Sequence, residues 1–149
     1  MKFAAALLLG ATLGNTVAWG VLGQTESSVA DDQRFLGGAH REEAHPGYKV
    51  HQITAKDGGV VKEFVSPTGM VFEIAWQSGH IPNLEQLLGP NMAELQTKLS
   101  TAAPRHTRGP MVVHTDHMVF VSAGHMRYFH GYAYVPSLVP ANVAPEAIQ

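Results

Sequence analysis

Nine histidines and no cysteine define the side-chain chemistry open to this 149-residue chain. His114-Thr115-Asp116-His117, followed by His125 and His130, offers four imidazoles and a carboxylate, a donor set suited to zinc or copper. Residues three apart on a strand face opposite sides, so His114 and His117 converge only if Asp116 forms a turn or bulge. Neither H-E-x-x-H nor C-x-x-C accompanies them. The metal reading therefore names His114, His117, His125 and His130. Its alternative is that these imidazoles are solvated and no cofactor is held.

A second group lies on one stretch. From Met126 to Val135 the residues alternate, with Met126, Tyr128, His130, Tyr132 and Tyr134 on one face and Arg127, Phe129, Gly131, Ala133 and Val135 on the other. Aromatic rings with polar tips suit interfaces. His125, Arg127, Tyr128, His130, Tyr132 and Tyr134 are accordingly the expected contacts for a ligand or partner. Catalysis has less support. Ser66 and Ser122 lie outside any G-x-S-x-G turn, thiol chemistry is closed, and no phosphate loop or dinucleotide fingerprint occurs. Glu63 and Glu73 could pair as carboxylates on neighbouring strands, although Glu63 better fits a cross-strand lysine or water.

These groups need a scaffold, and the chain from Tyr48 to Gln77 supplies its clearest part. β-Branched and aromatic residues alternate there, broken by Lys56-Asp57-Gly58-Gly59 and Ser66-Pro67-Thr68-Gly69, which predicts a three-stranded antiparallel meander over 48–77. In its third strand Met70, Phe72, Ile74 and Trp76 share one face, expected to hold the helices. Leu84, Leu87 and Leu88, then Met92, Leu95, Leu99 and Ala102, recur at helical spacing and predict two helices at about 83–103. Asn91 is the expected cap of the second, with Glu94 three residues on and Lys98 as its i,i+4 partner. Ala103 to Pro110, with Arg105, His106 and Arg108, reads as a loop, and residues 111–135 return to strand character, interrupted at Ala123-Gly124. The pattern predicts an α+β domain: an antiparallel sheet of about five strands with the helices on one face.

The ends differ from this middle. Lys2, an apolar run from Phe3 to Leu13 and small residues around Ala18-Trp19-Gly20 read as a secretory signal peptide over 1–20, cleaved after Gly20 or Ala18. The run is too short to span a bilayer, so no transmembrane segment is expected after cleavage. Residues 21–47 read as a low-order segment in which Val29, Gln33 and Leu36 line a short helix, capped by Ser28 with Asp31, ended by Gly37-Gly38 and followed by a polar linker HREEAHPG. A globular domain follows over 48–140, and prolines 136, 140 and 145 predict an irregular end, with 141–149 as a tail. The formal net charge is −2 and the basic residues are scattered, which gives no nucleic-acid footprint. The histidine content adds an expectation of association that responds to acid.

The segments SPTGMVFEIAWQ, PNLEQLLG and SAGHMRYFHGYAYVPSLVP, in that order, resemble the bacterial family of exported proteins catalogued as domain of unknown function 2844. AWG and LG near the expected cleavage site resemble it too. Tyr132 departs from the family pattern, where a basic residue is expected. The resemblance covers roughly Gly47 to the C-terminus. It implies a periplasmic or secreted location and carries no assigned reaction. The resulting expectation is a non-enzymatic accessory or binding protein that presents a sheet face or edge to a cell-envelope component such as an envelope protein. The alternative is a histidine-based metal-binding protein or metalloenzyme.

Overall fold

The computed structural model describes residues 21–103 and 109–149. The expected signal segment, and Arg105, His106 and Arg108 of the expected loop, lie outside the described residues. One antiparallel sheet is built from β1 (Ala39–His45), β2 (Tyr48–Thr54), β3 (Val60–Val65), β4 (Val71–Ser78), β5 (Met111–His114), β6 (Val119–His125) and β7 (Tyr128–Tyr134). Their spatial order is β1-β2-β3-β4-β7-β6-β5. The helices are α1 (Val29–Leu36), α2 (Leu84–Leu88) and α3 (Asn91–Thr101). The fold class is α+β, as expected, with seven strands rather than about five. No described helix is long and apolar enough to cross a membrane.

The turns follow from their residues. Gly58, at φ 87°, closes the β2–β3 hairpin while Asp57 Oδ1 accepts from the Gly59 amide at 2.9 Å. Gly69, at φ 77°, does the same for β3–β4. The β4–β7 pairing joins the two meanders into one sheet, so the chain leaves the centre at β4, runs through α2 and α3, and re-enters at the far edge as β5.

Several expectations need correction. The polar linker is β1, paired with β2 in unbroken register from Ala39 opposite Thr54 to His45 opposite Tyr48. Its sequence AHREEAH has no apolar face because it is an exposed edge strand. β6 does not break at Ala123-Gly124 but runs to His125, and the absent side chain of Gly124 makes room for Phe129, whose Cδ1 would lie 2.7 Å from an added Cβ. Met126 and Arg127 form the β6–β7 turn instead of starting β7.

In β4 the alternation shifts at a bulge, with Phe64 opposite Glu73 but Val65 opposite Val71. Ile74 and Trp76 face the helices as expected. Phe72 packs on the other side, and Val71 takes its place in the helix-side core.

Helix caps also differ. The helix near Val29 forms and ends at left-handed Gly37, but Ser28 Oγ donates to the Thr25 carbonyl at 2.7 Å instead of capping it. Asn91 does not cap α3. Its amide donates to the carbonyls of Leu22 and Leu88, tying two preceding segments together. Glu94 accepts from the Asp116 amide at 2.7 Å, and Lys98 lies 3.6 Å from Asp116, so both residues fasten α3 to the β5–β6 turn.

Both sheet faces are covered. Val29 of α1, Leu87 and Leu88 of α2 and Leu95 of α3 bury against Ile53, Val61, Ile74, Trp76 and Phe120. Each fully buried leucine contributes roughly 1.5–3 kcal/mol. Val21 and Leu22 belong to the same core, because residues 21–26 run beside the β3–β4 turn, exchanging backbone bonds with Gly69 and Val71. On the opposite face Val50, Phe64, Phe72 and Ala75 are covered by Leu138, Val139, Val143 and Ile148 from the C-terminal segment.

Candidate functional site

The C-terminal segment covers only part of that second face. Beside it lies an open groove of about 650 Å³. Its floor is explained by register. Gln52, Lys62, Ala75, Tyr132 and Val121 form one continuous cross-strand row, and Val60, Gln77, His130 and Ala123 form the next. Ala75 and Ala123 are short where their neighbours are long, which leaves a concavity walled by amides, rings and one ammonium group. Gln149 also lines it, and its Nε2 donates to buried Glu73 at 3.3 Å. Burial raises the Glu73 pKa to about 8, against the opposing effect of the Gln149 bond.

The expected contact residues divide along β7. Tyr128, His130 and Tyr132 line the groove. His125 stacks on Tyr128 at 5.6 Å, and Tyr128 lies 5.1 Å from His130, so three rings step along one end of the β6–β7 hairpin. Tyr134 instead donates to Glu146 at 2.8 Å and stacks on Tyr132, which holds the C-terminal segment. Burial, then the carboxylates of Glu146 and Glu73, raise the Tyr132 phenol above its ordinary pKa. Arg127 sits in the hairpin turn at φ 65°.

The four expected metal ligands are not brought together. His114 pairs opposite Val119, whereas His125 is six residues further along β6, roughly 20 Å away at the strand rise. His117 lies in the β5–β6 turn, 3.4 Å from Glu94. His130 faces the groove.

A different cluster lies on the helix side at the β1 edge. His51 is 5 % exposed; its Nε2 lies 2.8 Å from Glu26 Oε1 and its Nδ1 lies 2.9 Å from His40 Nε2. Lys49 Nζ contacts Glu26 Oε1 at 2.7 Å and Glu42 Oε1 at 3.3 Å. That ammonium, more than any other contact, holds the Glu26 carboxyl below its usual pKa. Sequence reading missed this group for want of β1. His40 and Glu42 are two apart, as are Lys49 and His51, so recognising two paired strands there puts all four on one face.

Glu63 and Glu73 do not form a carboxylate pair, since they lie on opposite faces. Glu63 instead meets Asp32 of α1, and both are fully buried. Burial raises both pKa values, and the Asp32 charge adds to the rise at Glu63. Among the described residues no group other than the Asp32 carboxyl meets the Glu63 oxygens, so a proton shared with Asp32 satisfies the pair. Sealed from solvent, this pair joins α1 to β3.

Together these features define an α+β protein built on a seven-stranded antiparallel sheet with an open groove on one face, lined by rings and alkyl groups with a few polar side chains. No curated protein and no solved structure matches the chain. The chain belongs to the family described as Protein of unknown function (DUF2844), whose model matches residues 18–148. The match takes in the segment before Gly47 as well, the part that supplies α1 and β1.

Proposed function

We propose that the protein is exported and acts as a non-enzymatic binding protein of the cell envelope, taking a hydroxyl-rich polymer such as an envelope glycan into the groove of its second sheet face. The carrying observation is the convergence of Tyr128, His130 and Tyr132 with Lys62, Gln52 and Gln77 on one open concavity. Rings offer flat apolar faces to sugar C–H groups, carboxamides both donate and accept for hydroxyls, and Lys62 favours an acidic substituent. The signal-like N-terminus supports export.

Edge pairing to a partner protein fits less well. β1 is a charged edge carrying Arg41, Glu42 and Glu43, and β5 has only four residues, two devices that discourage strand addition.

Co-sedimentation with purified cell-wall glycan tests the reading. The protein pellets with the polymer, and Lys62→Ala and Tyr128→Ala each reduce the bound fraction about tenfold, the scale of 1.4 kcal/mol. A protein that stays in the supernatant while cross-linking to an envelope protein through β1 defeats it.

A further inference from the structure

The proposed function does not use His40, His51 and Glu42, which bring two imidazoles and a carboxylate to the β1 edge. A carboxylate can only accept, so at 2.8 Å His51 Nε2–H donates to Glu26. In the neutral ring this places the proton on Nε2 and leaves the His51 Nδ1 lone pair pointing away from Glu26. His40 Nε2 lies 2.9 Å from this lone pair, and Glu42 Oε2 lies 4.0 Å from it. Ligands bonded at about 2.0 Å to a tetrahedral ion stand roughly 3.3 Å apart, a spacing that the 2.9 Å and 4.0 Å distances from His51 Nδ1 bracket; Glu42, His51 and Glu26 already offer donor atoms within 4.8 Å of one another, and His40 joins them by a side-chain rotation on the exposed β1 edge.

We propose that His40 Nε2, His51 Nδ1 and Glu42 Oε2 bind a divalent transition ion, zinc or copper, with Glu26 as the carboxylate that orients His51. A carboxylate on the far nitrogen of a ligating histidine is the usual outer partner of such ions. Lys49 does not occupy the site. It contacts Glu42 through Oε1, the other oxygen, and Glu26 through the same Oε1 that His51 uses. Two carboxylates against one ammonium leave the cluster with a net negative charge, complementary to a dication. Access is provided by a cavity of about 360 Å³ bounded by Val29, Gln33, His40 and His51. Binding replaces the His40–His51 hydrogen bond. The proton on His40 Nε2 moves to Nδ1 of the same ring through solvent, which frees the Nε2 lone pair without net proton release.

Titration calorimetry of the chain with zinc chloride tests this, with copper(II) electron paramagnetic resonance as the second readout. One zinc ion binds per chain at micromolar concentration. His40→Ala and Glu42→Gln, both at exposed positions, weaken binding at least tenfold, and Glu26→Gln weakens it 10- to 100-fold. The joint variant His114→Ala/His117→Ala binds as the parent does. Copper(II) shows coupling to two imidazole nitrogens, falling to one in His40→Ala. Absence of zinc heat overturns the proposal. So does binding that survives His40→Ala but disappears in the His114→Ala/His117→Ala variant.

Discussion

The carboxyl group of Asp32 on α1 faces that of Glu63 on β3 inside the core, both without solvent exposure, and Gln86 Nε2 donates to Asp32 at 2.6 Å. Glu73 is buried on the other side of the sheet. All three have pKa values raised by burial, so the folded protein holds protons that the unfolded chain releases. Their contribution to stability is then greatest below the unfolded values near 4 and falls as pH rises, through about 6 for Asp32, about 8 for Glu73 and about 9 for Glu63. Glu26, Glu94 and Glu146, whose pKa values are lowered, are ionised in both states above pH 5.5 and do not offset this loss. Thermal unfolding at pH 5.5 and pH 8.5 should show a midpoint several degrees higher at the acid end. Equal midpoints contradict the buried-acid assignment.

Glu63→Gln separates the pair from other titrations. The carboxamide donates to Asp32 at any pH, so the variant gains stability at pH 8.5 by about 1–3 kcal/mol and its slope shrinks to the part that Glu73 supplies. Urea midpoints at the two pH values measure this. An unchanged slope assigns the pH dependence elsewhere.

Gly131 lies where β7 crosses the Trp76 ring, and a Cβ there would stand 2.4 Å from Trp76 Cζ2 and 2.4 Å from the Val121 carbonyl oxygen. Backbone and a buried indole cannot both yield. Gly131→Ala should destabilise by about 1–3 kcal/mol, read as a lower denaturant midpoint. A neutral result means that β4 and β7 are not packed in this register.

Arg127 is the sole non-glycine residue at positive φ among the described residues. Glycine takes that conformation without steric cost, so Arg127→Gly should raise stability by about 1 kcal/mol. Loss of stability shows instead that the arginine side chain supports the hairpin.

Truncation after Pro140 removes Val143 and Ile148 from the cluster over Phe64 and Phe72 and removes Gln149 from Glu73. The shortened protein should melt several degrees lower and bind the apolar dye ANS more strongly. Unchanged melting and dye response place the C-terminal segment off the sheet.

What could be read from sequence tracks how strongly each element is patterned. The β2–β3–β4 meander was legible because alternation and turn glycines agree, and β7 showed its tyrosine row because period two puts Tyr128, His130, Tyr132 and Tyr134 on one side. β1 was not legible, since an edge strand exposed on both sides has no apolar period to display. The error at Phe72 has a single cause, a bulge that inverts the alternation over one residue. Asp32 with Glu63, and His40 with His51, escaped because each pair depends on contacts between elements far apart in the chain. The groove was half legible. Its β7 wall was named, whereas Lys62, Gln52 and Gln77 reach it only through the order of strands.

The claim that the second sheet face binds an envelope glycan is tested most directly by titrating ¹⁵N-labelled protein with soluble cell-wall glycan fragments and following amide shifts. Shifts concentrated at Gln52, Lys62, Gln77, His130 and Tyr132, with Arg41 to Glu43 unmoved, are the predicted result. Shifts confined to β1, or none at millimolar fragment, contradict it.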